Sequence, residues 1–141
     1  MANGVVVTEN GQGKYQQAVD IGQHHLIADE PVSAGGDDGG PAPVEFLLTA
    51  LGACTAMTLR MYAERKGLAL RQVSVALQHE KVAVDGVLRD RIERRITLDG
   101  ELTSAERQRL LEIAEKCPVH KILSQPLLIA SSLASNQGKT G

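Results

Sequence analysis

The feature that most constrains this chain is a long apolar segment near its middle. Pro43 suits the first turn of a helix, Glu45 is favoured at the positive end of the helix dipole, and Gly67 is typical of a C-cap. We therefore predict one long helix over 43–67. Before Arg60 this helix has almost no polar face, and a helix that is apolar all round must be buried on every side.

A single chain of 141 residues has little material with which to bury such a helix. We therefore expect a second copy of the chain to supply the missing cover, so that the protein is a homodimer. The most apolar part, 46–61, is shorter than the roughly 20 residues that a helix needs to cross a bilayer. The expectation is a buried central helix and no membrane partner.

The segments around this helix predict a single α+β domain over 1–141, with two helices in all. Alternating apolar and polar residues predict a β-hairpin over 71–99, and a capping box at Thr103 opens a second helix region over 103–123. The remaining parts are N-terminal strands with a Gly-rich loop, 1–42, and a final apolar strand, 126–134.

Composition argues against several classes of function. A net charge of -2, with two tyrosines and one phenylalanine as the only aromatic residues, offers neither the charge nor the stacking surface that nucleic acid binding needs. The start of the chain lacks the basic and apolar pattern of a secretory signal, so we expect a cytoplasmic protein. His24 and His25 point to opposite faces of a strand and match no standard metal site, so neither a metal nor another cofactor is predicted.

Two cysteines carry the chemistry that the residues suggest. Cytosolic thiols are held reduced unless they are catalytic or redox-sensing. The residues leave open whether Cys54, inside the apolar helix, is a small core side chain or a redox thiol. Cys117 precedes Pro118 and is predicted to be the N-cap of a new helix, where the pKa of a thiol is lowered. Their spacing does not decide whether they form a pair, and a zinc site shared with His120 stays open as an alternative.

The second strand of the predicted hairpin has two different sides. Ile92, Ile96 and Leu98 share the side that we expect to face the core. The opposite side is charged and is predicted to face solvent: Arg89, Arg91, Glu93 and Arg95.

Two motifs resemble the OsmC/Ohr family, whose members mostly reduce organic hydroperoxides: GPAPVEFLLTALGACTAMTLR at 40–60 and Cys-Pro-Val-His at 117–120. The likeness covers nearly the whole chain in the order of its elements. It implies an intertwined α+β homodimer in which two central helices are wrapped by curved antiparallel sheets. That expectation agrees with the apolar helix.

The resemblance also implies roles for individual residues. Cys54 matches the family's peroxidatic cysteine and Cys117 its resolving cysteine, with a dithiol, either a lipoyl-type group or a small thiol, as the reductant. Glu45 is the third predicted catalytic residue, although it lies one residue after the position, here Val44, of the glutamate that holds the family's early activating arginine. No arginine precedes Arg60, so no motif assigns the residue that activates Cys54.

The predicted function is thiol-dependent reduction of organic hydroperoxides through Cys54 and Cys117, an oxidoreductase role in the response to oxidative stress. The alternative is a non-catalytic OsmC-like protein that senses oxidation through its thiols or holds a small apolar ligand. Turnover of a hydroperoxide distinguishes the first from the second.

Overall fold

The structure is a computed structural model that describes residues 4–135 and has an α+β fold. Its strands are β1 (Val6–Glu9), β2 (Gln17–Ile21), β3 (His24–Ala28), β4 (Leu70–Val84) and β5 (Val87–Gly100). Its α-helices are α1 (Pro43–Lys66), α2 (Ser104–Ala114) and α3 (Pro118–Leu123).

The strands form two separate antiparallel sheets. β1, β2 and β3 form a three-stranded sheet in chain order, and β4 and β5 form a long hairpin. Asp85 and Gly86, which join the hairpin strands, have φ angles of 53° and 78°. Two successive residues with positive φ make the turn that matches the natural twist of a hairpin, and Asp-Gly is a preferred pair for it. The predicted hairpin is therefore confirmed, and it extends one residue beyond the predicted range at each end.

A buried carboxylate organises the Gly-rich loop between β3 and α1. Asp29 is 3% exposed, and its two oxygens accept hydrogen bonds from the backbone N–H groups of Glu30, Asp37 and Gly39. The loop packs so closely on the first sheet that a Cβ at Gly40 would overlap the backbone of Ile27. The loop is thus fixed where it delivers the chain to α1.

The long helix begins and ends where the sequence predicts, and Gly67 caps it with a φ of 67°. One face is buried. Leu59 and Tyr62 from this face pack with Leu110 and Ile113 of α2 to form the core, and several partly buried residues complete it: Leu68, Val73, Ile96, Leu98 and Leu102.

The single chain does not bury α1 on every side, and a second copy of the chain is expected to supply the missing cover. Leu47, Met57 and Met61 on the opposite face are 42%, 60% and 66% exposed. The reason is that α2 and the hairpin cover one side of the helix and leave the other open. By length and composition alone α1 would reach across a membrane, a property that core helices of soluble proteins share.

Two predicted elements differ from the structure. The described residues form three α-helices rather than two in all, because 103–123 divides at Cys117, whose backbone is extended with φ -64° and ψ 136°, and Pro118 starts α3. The predicted strand over 126–134 is not formed. Leu128 is 97% exposed there, and an apolar segment becomes a strand only when another strand pairs with its backbone.

Candidate functional site

Cys54 lies in the middle of α1, at the border between its buried and open faces, and is partly exposed. Val119 and Thr58 lie close to its thiol. Burial raises the pKa of the Cys54 thiol above the ordinary value of 9.0, and its contact with Cys117 raises it further. A raised pKa favours the neutral thiol.

Cys117 is the N-cap of α3, as predicted, and is completely buried. Its sulfur accepts a hydrogen bond of 3.3 Å from the backbone N–H of His120. Burial raises the pKa of this thiol, but hydrogen bonds from Cys54, the His120 N–H and Thr55 outweigh burial, so that the pKa lies below 9.0. The predicted direction of the Cys117 pKa is therefore confirmed.

The fold brings the two thiols together. Both are free, and the two thiols lie close enough for each to shift the pKa of the other. The contact forms because the corner between α2 and α3 packs against the middle of α1, which their spacing along the chain could not show. The pKa of Cys54 is raised and that of Cys117 is lowered, so the pair shares its protons unequally and Cys117 is the better anion.

Glu45 does not join the thiols within one chain. Its carboxylate accepts a 2.8 Å hydrogen bond from the backbone N–H of Ala42 and thereby caps the start of α1. At the α-helical rise, Glu45 is about 13 Å along the axis from Cys54. Its predicted catalytic role stays a prediction, while its observed role is to cap the helix.

Arg94 is the site residue that the sequence reasoning missed. It lies on the inner side of β5, between Ile92 and Ile96, and its side chain is 11% exposed. Its guanidinium donates to Thr55 Oγ1 at 3.0 Å and to His120 Nδ1 at 3.1 Å. The alternation of inward and outward residues along β5 could have identified Arg94, since an arginine at an inward position must find buried partners.

The charged side of β5 faces outward as predicted. Arg89, Arg91 and Arg95 are exposed, and Arg91 pairs with Glu80 on β4 at 2.7 Å. These arginines therefore lie on the opposite face of the hairpin from Arg94 and from the thiols.

A cavity of about 760 Å³ is lined in part by Arg94 and His120, whereas neither Cys54 nor Cys117 is among its lining residues. One part is apolar: Val44, Leu47, Leu51, Ile92, Ile96, Leu111 and Leu123. The other part is polar: His79, Asp90, Arg94, Glu115, His120 and Ser124. Such a cavity can hold an apolar molecule with a polar end.

The side chains that could bind a metal are dispersed in the part of the chain that the structure describes. No three His, Cys, Asp or Glu residues come together among 4–135. His25 instead pairs with Asp20 on the neighbouring strand, at 2.6 Å, and His120 bonds to Arg94 through Nδ1.

Comparison with known proteins gives one match to a family and several to solved structures. An OsmC-like protein of Mycoplasma pneumoniae has a TM-score of 0.73 at 18% identity, over 86% of each chain. An organic hydroperoxide resistance protein of Legionella pneumophila has a TM-score of 0.65 at 18% identity, over 86% of this chain and 88% of its own. One from Elizabethkingia anophelis has a TM-score of 0.64 at 20% identity, over 86% of each.

At these identities the solved structures establish the fold. No curated protein matches the sequence. The sequence model of the family described as OsmC-like protein matches residues 35–132, which include α1, the hairpin and both cysteines. The chain therefore belongs to the OsmC-like protein family.

Proposed function

We propose that this protein reduces organic hydroperoxides, with Cys54 and Cys117 as its redox pair. The observation that carries the proposal is the direct contact between two free thiols, one partly exposed and one buried. Membership of the OsmC-like family supports it, as does the fold shared with proteins named for organic hydroperoxide resistance.

Cys54 is the attacking thiol in this proposal, because Cys117 is fully buried. The Cys54 sulfur attacks the distal peroxide oxygen, its proton passes to the Cys117 sulfur, and the O–O bond breaks. The departing alkoxide takes up that proton and leaves as the alcohol. Cys54 is then a sulfenic acid, which the Cys117 thiolate attacks with loss of hydroxide to form the disulfide. A dithiol partner reduces the disulfide and is itself oxidised.

The cavity suits the organic part of such a substrate. Its apolar side can take up a hydrocarbon chain, while its polar side includes Arg94 and His120, whose backbone N–H donates to the Cys117 sulfur. Arg94 is already paired with the carboxylate of Glu115 at 3.1 Å, so the polar side offers hydrogen bonds with little excess positive charge. A neutral hydroperoxide group fits that balance.

Serine variants of each cysteine test the proposal. The wild type is expected to consume cumene hydroperoxide repeatedly with a dithiol reductant, and Cys54→Ser to lose this activity. Cys117→Ser retains the attacking thiol, so it is expected to react once and to accumulate a sulfenic acid on Cys54 that dimedone traps in peptide mass spectra. Full consumption by Cys54→Ser would refute the assignment.

A second candidate function is redox sensing without turnover. The raised pKa of Cys54 favours it, because only a thiolate attacks a peroxide rapidly. In that case peroxide is expected to remove both thiols once, in stoichiometric amounts, with no steady consumption in the same assay.

We further propose that the protein works as a homodimer in the cytoplasm. The apolar face of α1 that one chain leaves open supports the dimer. The reductant is proposed to be a dithiol of lipoyl type or a small thiol. Comparing the rate of cumene hydroperoxide consumption with each reductant in turn distinguishes the two.

A further inference from the structure

Arg94 is a nearly buried cation whose partners come from three different elements. Its guanidinium bonds Thr55 of α1 at 3.0 Å, the carbonyl of Ala114 in α2 at 3.4 Å, Glu115 at 3.1 Å and His120 of α3 at 3.1 Å. A buried charge is costly unless it is paired and hydrogen-bonded, and here every partner except Thr55 lies at the corner that carries Cys117. Arg94 therefore links β5 and this corner to the middle of α1.

The bond to His120 fixes the imidazole tautomer. Arginine has donors and no acceptor, so His120 Nδ1 must present its lone pair to Arg94. The neutral ring then carries its hydrogen on Nε2, which lies 3.9 Å from the Glu115 carboxylate. With its ring held on both sides, His120 keeps its backbone N–H aimed at the Cys117 sulfur.

The bond to Thr55 controls a single hydroxyl hydrogen. Thr55 is fully buried, and its hydroxyl donates to the carbonyl of Leu51 at 2.6 Å. Thr55 also lies close enough to Cys117 to lower the pKa of its thiol. A hydroxyl has one hydrogen, so it can serve the carbonyl or the sulfur but not both at once. Arg94 donates to the Thr55 hydroxyl oxygen and thereby polarises the hydroxyl. When Cys117 is a thiolate, the Thr55 hydroxyl can stabilise it by rotating its hydrogen from the Leu51 carbonyl toward the sulfur.

We infer that Arg94 is the positioning residue of the thiol pair: by holding Thr55 and His120 in place, it directs the hydrogen-bond donors of the site to Cys117 rather than to Cys54. The titratable and charged groups around Cys117 are Cys54 from α1, Arg94 from β5, Glu115 after α2 and His120 from α3. Cys54 has a different threonine, Thr58, one turn along the same helix. In catalysis, this arrangement would prepare Cys117 to receive the Cys54 proton, a role that rests on the proposed function.

The test is a pH titration of thiolate absorbance near 240 nm in single-cysteine proteins. Cys54→Ser leaves Cys117 and keeps a hydroxyl donor beside it, whereas Cys117→Ser leaves Cys54. We expect Cys117 to ionise at lower pH than Cys54. In the Cys54→Ser background, Arg94→Met is expected to reduce the Cys117 thiolate fraction at pH 7 about tenfold, the effect of losing one hydrogen bond to a charged group.

Two matched controls separate positioning from general effects. Arg95→Met removes the neighbouring arginine on the outer face, whose side chain is 78% exposed, and is expected to leave the Cys117 titration unchanged. Thr55→Val is expected to act like Arg94→Met, while Thr58→Val is expected to shift the titration of Cys54 and not that of Cys117.

Arg94→Lys covers the case in which Arg94→Met does not fold, as judged by circular dichroism. Lysine keeps the charge but cannot bridge Thr55, Glu115 and His120 together, so an intermediate loss of thiolate is expected. The inference is overturned if Cys54 ionises first, or if Arg94→Lys and Thr55→Val both titrate like their parent. Because no hydroperoxide is present, the result is independent of whether the protein proves to be a peroxidase.

Discussion

At Asp29 a single carboxylate holds together the loop that leads into α1. The N–H groups of Gly39, Glu30 and Asp37 donate to it at 3.0, 2.8 and 3.3 Å. The bond from Gly39 contributes most to lowering the Asp29 pKa below its ordinary 3.8; burial opposes it, and the other bonds add to it. The folded state therefore prefers the charged form of Asp29 more strongly than the unfolded chain does.

This preference predicts an acid-dependent stability. A carboxyl group whose folded pKa is depressed stabilises the fold above its unfolded pKa, and that contribution is lost as the pH falls through the folded pKa. Asp29→Asn is expected to be less stable than wild type at pH 7 and to show a weaker loss of stability below about pH 4. Urea unfolding across this pH range measures both. Asp38→Asn, in the same loop but exposed, is the control, and parallel curves for Asp29→Asn and wild type would contradict the prediction.

The candidate site was predictable from the sequence only in part. The role of Cys117 as an N-cap follows from Pro118 and local backbone preferences, and the structure confirms it. Arg94 was harder to find, because it stands beside Arg95 in a charged run whose other members face solvent. Its inward position follows from the same alternation that places Ile92 and Ile96, but its partners come from helices distant in sequence, which no local pattern identifies.

Among the helices, α2 is the element whose placement sets the position of Cys117. Its start depends on a reciprocal cap: Thr103 Oγ1 accepts from the Glu106 N–H at 3.1 Å, and Glu106 accepts from the Thr103 N–H at 2.9 Å. Thr103→Ala is expected to cost about 1 kcal/mol of the free energy of unfolding, and Thr103→Ser, which keeps the hydroxyl, much less. Urea unfolding compares the two, and equal losses would show that the cap hydroxyl is not the cause.

Element boundaries followed the sequence wherever the deciding chemistry is local. The ends of α1 depend on Pro43 and Gly67, and the hairpin on the Asp85-Gly86 turn. The strand expected over 126–134 failed because strand formation depends on a pairing partner rather than on apolar residues alone. Burial of α1 likewise depends on a partner. The apolar sequence of the helix indicates that its faces must be covered, but it does not identify the surface that covers them.

For the molecule as a whole, the open face of α1 is the surface to explain. Leu47, Ala50, Met57 and Met61 fall on one side of the helix at helical spacing, and all are exposed in the single chain. A continuous apolar stripe of this kind on the central helix is unfavourable in water. The homodimer that we propose would cover it with a second copy of the chain, and Cys54, at the border of this face, would then lie close to the interface.

The dimer is therefore expected to depend on the middle of this stripe. The wild type is predicted to have twice the 15.1 kDa chain mass in light scattering at micromolar concentration. Met57→Glu would place an unpaired carboxylate in the interface at a cost of several kcal/mol and is expected to shift the protein to monomers, whereas Met57→Leu keeps the apolar contact and the dimer. A monomeric wild type, or a dimer indifferent to Met57→Glu, would mean that something other than this face of a second chain covers α1.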